Sequence, residues 1–501
     1  MHREFDVQPG SDPYVEVHET HTGVVVLAGD RAYKAKRPVV TDFLDFSTRE
    51  AREQALIRER ELNGRLAAQA YLGIAHLTGP LPGDSEPVLV MRRYPSQTSL
   101  AARVAADADG LAANVVRVAD DLADFHADAV RSRAIDACAR VPAVTARWDD
   151  NLRELETHAG TVIPKETLDQ VKDLAHQYIL GRAVLFADRI TLRRVVDGHG
   201  DLTAPDIFCL DDGPVLLDCL DFDDQLRHVD CVDDAAFLAM DLEYRGRRDL
   251  ADVFIDRYSR RADEQAPRSL WDFYIAYRAV VRAKVDCIRS VQGHAEAAEQ
   301  ARRHLDLAAE HLRAATVRLI VVGGAPGTGK TTLARSLAGK LGAQVISTDD
   351  VRRDLQRDGV IAGKPGELDA GLYTPENVAT VYKVVLRRAH SVLAAGRSVI
   401  LDGTWRDPAE RGRARELAES ANARLLEMVC SAPLAEAKSR VGERTGSNSD
   451  ATADIAEALH GADNSGEHGG AEDPWRGLAR INTERPLADS VAEAQELCLS
   501  A

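Results

Sequence analysis

Gly324-Ala325-Pro326-Gly327-Thr328-Gly329-Lys330-Thr331 is the stretch that decides how the second half of the chain folds. It sits between a β-branched run over residues 317–322 and a run with helical spacing over residues 332–341. A G-x-x-x-x-G-K-T string in that context is a phosphate cradle. Its small residues let successive amides, through that of Thr332, turn inward onto a phosphate, and the helix start adds its positive end. Lys330 would bridge β and γ oxygens, and the Thr331 hydroxyl would ligate Mg²⁺. A second apolar run over residues 398–401 ends in Asp402, where a strand-terminal carboxylate would meet the metal. Standing alone, such an Asp is more often a helix cap.

Working outward, the 501 residues exceed what one hydrophobic core supports, which implies at least two domains. Hydrophobic residues make up 45% and charged residues 29%, a balance that folds. With 63 Lys and Arg against 80 Asp and Glu, the formal charge of −17 repels phosphate backbones and anionic lipid, so duplex DNA and membrane are not expected partners. No apolar stretch spans a bilayer and residues 1–10 do not read as a signal peptide, so a cytoplasmic location is expected. Seven cysteines without a C-x-x-C pair read as reduced thiols. The helical repeat of Ala297, Ala301, Leu305, Ala308 and Leu312 ends at Ala315, which predicts domains over residues 1–315 and 316–501. Residues 446–472, rich in Gly, Ser, Asn and Asp, read as a mobile loop.

The first half carries a second set of chemical residues. His199-Gly-Asp201 and Asp206 follow the H-x-D-x-x-x-x-N spacing of a kinase catalytic loop, with Asp in the final position. Asp221 lies fifteen residues further on, where a second metal-holding Asp belongs; Asp218 is its rival because it too ends an apolar step. Upstream, residues 23–36 read as two strands around a Gly29-Asp30 turn, with Lys34 on the second strand and Glu59 in the following helix, placed for an ion pair that orients phosphates. Arg278 and Arg282, at i and i+4, are either a recognition face for an anionic group or a buttress paired to acids such as Asp241 or Glu243.

Two resemblances follow. Gly324 to Thr331, Ser347-Thr-Asp349-Asp-Val-Arg352, Asp402-Gly-Thr-Trp405, and Arg440 with Arg444 resemble the small P-loop kinases grouped with zeta toxins, polynucleotide kinases and chloramphenicol phosphotransferase. That resemblance implies Asp349 as the group taking a proton from an acceptor hydroxyl, Arg352 as its holder, and Arg440 with Arg444 as a lid over the nucleotide. The first half resembles aminoglycoside phosphotransferases. It is more similar still to bacterial two-domain proteins in which such a domain precedes a P-loop kinase, through Gly29-Asp-Arg-Ala-Tyr-Lys34, Glu59 to Arg65, His199 to Phe208, Asp218 to Asp223 and Asp233 to Glu243. It implies Asp201 as base or hydroxyl-orienting carboxylate, Asp206 and Asp221 as Mg²⁺ ligands, and Met91 to Tyr94 as a hinge at adenine.

The fold class expected is thus α/β and α+β multidomain: a bilobal protein-kinase-like first half, then a P-loop NTPase whose parallel sheet is sandwiched by helices. The activity implied is transfer of a γ-phosphate from ATP or another NTP, with Mg²⁺, to a small-molecule hydroxyl of a sugar, amino sugar or nucleotide derivative. The alternative is a nucleotide-binding regulatory protein, in which Asp206 disables the first half and only the P-loop half turns over.

Overall fold

The computed structural model describes residues 13–19, 23–40, 45–79, 85–364, 370–442, 457 and 478–500. The chain divides into two compact units, Met1–Val171 with Asp188–Ala266 and Trp271–His311, and Lys172–Ala187 with Pro267–Leu270 and Leu312–Ala501.

In the first unit, β1 (Val15–Glu19), β2 (Gly23–Ala28), β3 (Arg31–Lys36), β4 (Tyr71–Thr78) and β5 (Ser85–Arg92) form an antiparallel sheet in the order β1-β2-β3-β5-β4. β2 and β3 meet at the Gly29 turn, where φ is +59°, a conformation that costs a side-chain-bearing residue free energy. β1 and β4 carry no clear period-2 signal in the sequence. β1 is an exposed edge, and the register of β4 breaks between Tyr71 and Gly73. The helix Arg49–Ala67 starts where the Thr48 hydroxyl accepts the Ala51 amide at 3.2 Å. It turns Leu56, Glu59, Leu62, Asn63 and Ala67 inward at helical spacing, and Leu56 packs with Tyr71, Leu89 and Val215. Full burial of a leucine such as Leu56 is worth about 1.5–3 kcal/mol, so this face fixes the helix, and Glu59 with it, against the sheet.

The rest of this unit is helical. The helix Cys231–Tyr244 is buried from Cys231 through Leu242; it packs on Arg248–Arg261, which in turn packs on Leu111–Asp128, and Asp233 ties it to Arg278 of the helix Arg268–Val291. Two short antiparallel ribbons interrupt the helices: β6 (Val195–Asp197) with β9 (His228–Asp230), and β7 (Ile207–Leu210) with β8 (Gly213–Leu216). Arg189 ties the first ribbon down, donating to both Asp230 oxygens at 2.7 Å and to Glu264 at 2.5 and 2.9 Å, all fully buried. The architecture is a sheet lobe followed by a helical lobe, with the chemical residues on the loops of the two ribbons.

The second unit is built on a parallel sheet in the order β11 (Gln344–Ser347), β12 (Val399–Asp402), β10 (Arg318–Gly323), β13 (Arg424–Ser431), β14 (Ala479–Asn482). Leu319 to Val322 are all at most 1% exposed, the continuous apolar run of a strand covered on both faces. β10 is central, flanked by β12 and β13, so the chain order reverses at its carboxyl end, where α/β sheets open a crevice for ligands. Within the same unit Arg182, 1% exposed, donates to the carbonyls of Leu393, Ala421 (2.9 Å) and Asn422 (3.2 Å). These carbonyls end the helices Pro375–Ala394 and Pro408–Ser420, so one guanidinium caps two helix C-termini. All seven cysteines are free thiols. Among the described residues, no helix is long and apolar enough to cross a membrane. Most of the loop over residues 446–472, and Arg444, lie outside the described residues.

Candidate active sites

In the second unit the phosphate loop leaves the end of β10 and enters the helix Lys330–Leu341. Its path demands glycine. At Gly324 (φ +132°) a Cβ would stand 2.6 Å from the Cys430 carbonyl, and at Gly327 (φ +85°) it would collide with the Ala437 carbonyl. Thr328 closes the turn with a hydroxyl bond to the Ala325 carbonyl at 2.7 Å, and the Thr328 carbonyl accepts the Thr483 hydroxyl at 2.8 Å. Lys330 folds back on the loop, its Nζ donating to the Ala325 carbonyl at 2.9 Å.

The strand-end carboxylate is where the apolar run points. Asp402, 2% exposed, accepts the Thr331 hydroxyl through Oδ2 at 2.8 Å. Its Oδ1 is buried without a hydrogen-bond partner among the described residues. Burial raises its pKa, and Lys330 pulls the other way. Asp349 also acts electrostatically on Asp402, which places the helix Thr348–Arg357 beside the loop. Arg352 is buried, donates to Asp349 Oδ1 at 2.7 Å, and lies 4.3 Å over the Tyr373 ring. Arg440 is at the loop rim, donating to the Thr483 carbonyl at 2.9 Å, with a guanidinium nitrogen 3.6 Å from where a Gly329 Cβ would stand. Thr483, which the sequence does not flag, thus joins Arg440 to the loop from the end of β14.

In the first unit the Lys34 ammonium lies 2.6 Å from Glu59 Oε1, and Glu59 is 1% exposed. Lys36, two residues along the same face of β3, approaches the other oxygen at 2.9 Å. The two ammonium groups hold the Glu59 carboxyl down to about 2 against the effect of burial. Beside them a cavity of about 330 Å³ is lined by Val25, Leu27, Ala32, Met91, Tyr94 and Phe208 among others. Its walls are mostly apolar and include Met91 to Tyr94.

The catalytic-type loop is held by its backbone. Asp234 accepts the amides of His199 and Gly200, both at 2.7 Å, and His126 at 2.9 Å, which keeps it ionised well below the usual range. Arg65 donates to the Asp197 and Gly198 carbonyls at 3.0 and 2.9 Å. Arg278 donates to the Gly200 carbonyl at 3.1 Å and pairs with Asp233 at 2.8 Å. Arg278 is therefore a buttress, with Asp233 as its partner in place of Asp241 or Glu243. Asp241 instead accepts the Ala204 amide at 2.8 Å. Burial pushes Asp201 up to about 6, with Arg282 and Arg278 opposing it.

The second carboxylate differs from the expected one. β8 ends at Leu216, and Asp218 turns in the left-handed conformation (φ +62°) with its amide donated to the Tyr71 hydroxyl. Asp218 acts on both Asp201 and Asp206, and its oxygen is 3.4 Å from Lys34. Half-buried Asp206 is pushed up to about 7 by desolvation and by the charge of Asp218, even though it accepts the Thr203 hydroxyl at 2.8 Å. Asp221 instead pairs with Lys36 at 3.1 Å. The structure thus brings Asp218 rather than Asp221 up to Asp206 and Asp201, because the strand ends two residues before Asp218, while Asp221 is held against Lys36. Among the described residues, no three His, Cys, Asp or Glu side chains converge as a self-contained metal site. A Mg²⁺ held by one or two carboxylates plus phosphate oxygens needs no such cluster.

Residues 319–462 match the family described as AAA domain. Among solved structures, the chain is similar to a choline/ethanolamine kinase family protein from Mesorhizobium loti (14% identity, 60% of this chain and 94% of that one, TM-score 0.36). It is also similar to the Mycobacterium tuberculosis APS kinase CysC in complex with AMPPNP and APS (19%, 37% and 99%, 0.27) and to a gluconokinase from Sinorhizobium meliloti (18%, 36% and 92%, 0.26). Over 497 residues it is 53% identical to the uncharacterized protein Rv2004c of Mycobacterium tuberculosis and equally to Mb2027c of Mycobacterium bovis, covering 99% of this chain and 98% of each relative. At that identity and coverage, the chain belongs to the family of these mycobacterial proteins.

Proposed function

We propose that the chain is a cytoplasmic, NTP- and Mg²⁺-dependent phosphotransferase with two nucleotide-binding halves, residues 1–315 and 316–501, each moving a γ-phosphoryl group to a hydroxyl of a small molecule. The observation that carries the reading is the Thr331–Asp402 bond beneath a glycine-enforced cradle, with Asp402 Oδ1 buried and without a hydrogen-bond partner among the described residues. An isolated buried carboxylate oxygen is costly unless a cation or water completes it.

The residues present fit Mg²⁺: Thr331 and Asp402 would hold it in the second unit, Asp206 and Asp218 in the first. When bound, it supplies neutralisation of charge on the transferred phosphoryl group. The amides of Gly327 and of Gly329 to Thr332 would grip the β-phosphate, while Lys330 would exchange its bond to Ala325 for phosphate oxygens. Asp349 would accept the acceptor's proton, with Arg352, held by its ion pair and the Tyr373 ring, orienting the acceptor. Arg440 would close the charge from the opposite rim. In the first unit the apolar slot at Met91 to Tyr94 would receive the base, and Lys34, steadied by Glu59, the phosphates. Asp201 would take the acceptor proton; a carboxyl shifted toward neutrality suits that task.

The test offers labelled γ-phosphate ATP with a panel of sugars, sugar derivatives and nucleotides to the wild type, Lys330→Ala, Asp201→Asn and the double variant. Each single variant should silence a different set of acceptors by about 10³-fold, and the double variant all of them. Unchanged turnover in Asp201→Asn for every acceptor would support the regulatory reading, in which only the P-loop half works.

A further inference from the structure

Next to Asp201 in the first unit lies a cavity of about 750 Å³. One wall is the helix Arg268–Val291, which presents Arg278, Val281, Arg282, Lys284, Val285 and Ile288 along the inner side at three- and four-residue spacing. Arg147 faces them across the cavity, and the carboxylates in the lining are Asp201 and Asp223. The cations therefore outnumber the acids. Arg278 is engaged by Asp233 and the Gly200 carbonyl, whereas Arg282 and Lys284 make no hydrogen bond or ion pair among the described residues and are balanced only at longer range, Arg282 by Asp201 and Lys284 by Glu154 and Asp150. Arg147 has one long bond, 3.5 Å, to the His228 carbonyl. Lys284 is half-buried beside Val281 and Val285, and that burial lowers its pKa.

Half-buried cations without a direct hydrogen-bonded partner cost stability, and the fold places them at the mouth of the loop that carries the proposed base. A polycationic acceptor, such as an amino sugar, would meet Arg147, Arg282 and Lys284 as like charges in a partly dehydrated space. An anion would instead complete them, because a guanidinium fork and an ammonium are the donors that recognise phosphate and carboxylate oxygens.

We infer that this cavity binds an anionic acceptor, a small polyhydroxylated molecule bearing a phosphate or carboxylate that Arg282, Lys284 and Arg147 grip so that a hydroxyl faces Asp201. The inference rests on the phosphotransferase reading for its role but stands on binding alone. In the group transfer, the acceptor oxygen bonds to the γ-phosphorus, the bond from phosphorus to the bridging oxygen breaks, the nucleoside diphosphate leaves, and the hydroxyl proton passes to Asp201. The apolar residues Val281, Val285 and Ile288 would cover the acceptor's carbon skeleton.

Four probes of one ring skeleton separate the possibilities: glucose 6-phosphate, glucuronate, glucose and glucosamine, titrated calorimetrically into the full-length chain and into an Arg282→Gln, Lys284→Gln double variant. The phosphate or the carboxylate probe, or both, should bind about tenfold or more tighter than glucose and glucosamine, and the double variant should erase the difference. The stronger of the two names the anion. Equal or tighter binding of glucose or glucosamine, no binding of any probe at millimolar concentration, or a preference that survives the double substitution would overturn the inference. Labelled-phosphate transfer is read on the same samples. An anion preference that depends on Arg282 and Lys284 but comes with no transfer would sink the phosphotransferase reading of this half and leave the binding site standing.

Discussion

The two candidate sites hold phosphate chemistry by opposite means. The second unit builds its cradle from one contiguous backbone segment, and the residues that matter are mainly those without side chains: Gly324 and Gly327 lie where neighbouring carbonyls leave no room for a Cβ. The first unit assembles its site from side chains far apart in sequence, Lys34, Glu59, Asp201, Asp206 and Asp218, with Lys34 paired to buried Glu59 and Asp206 accepting the Thr203 hydroxyl. A backbone-built site is brittle to an added methyl group, and a side-chain-built site is brittle to the loss of one charge. The electrostatics of the two sites differ as well: in the second, Asp402 sits between Thr331 and Lys330, whereas the first sets Asp206 and Asp218 against each other near Lys34.

The sharpest break of this contrast is Gly327→Ala. Added bulk against the Ala437 carbonyl, at a positive φ, should open the cradle and lower phosphate-loop turnover by about 10³-fold, measured as transfer to acceptors that depend on Lys330, while transfer that depends on Asp201 persists. Equal losses in both activities would mean that the sites do not work independently. Next in size, Asp218→Asn should reduce transfer by the first unit about 100-fold and shift its Mg²⁺ requirement upward, whereas Asp221→Asn, which only loosens Lys36, should cost about tenfold or less. The reverse order in a Mg²⁺ titration would restore Asp221 as the metal-facing residue.

How much was legible beforehand differs between the units for the same reason. Eight consecutive residues state the phosphate cradle, because backbone geometry is local, and Asp402 follows from the end of an apolar run. In the first unit the Lys34–Glu59 pair and the Asp201–Asp206 loop are visible as spacings. The choice between Asp218 and Asp221 is not, since it turns on where β8 stops and on a left-handed residue at 218. β1 and β4 were hidden because an exposed edge strand and a strand with a broken register lack clean alternation. Lys36 and the clamps from Asp234, Arg65 and Arg278 were invisible as well, because they are tertiary contacts between residues as much as 185 positions apart. Residues 233–243 did carry a signal, an acidic pair at the head of an apolar helix, though not its target.

The smallest expected effect is on stability, and it too separates the units. His311, in the first unit, lies between Asp272 at 2.9 Å and Glu243 at 3.0 Å, and their hydrogen bonds and charges overcome burial to raise it to about 9. A raised histidine pKa stabilises fully below its unfolded value of about 6.5, and the contribution is lost as pH climbs toward 9. The first unit should therefore lose roughly 2–3 kcal/mol between pH 6.5 and 9, and His311→Gln should flatten that slope. Hydrogen exchange resolved by unit would read it; a slope that survives His311→Gln would assign it to another group.

One chain should hold two nucleotides at once. Calorimetry with a non-hydrolysable ATP analogue at millimolar magnesium should give two molecules bound per chain, falling to one in Lys330→Ala and to one in Lys34→Met, with the two variants losing different sites. A single site in the wild type, or the same site lost in both variants, would contradict it.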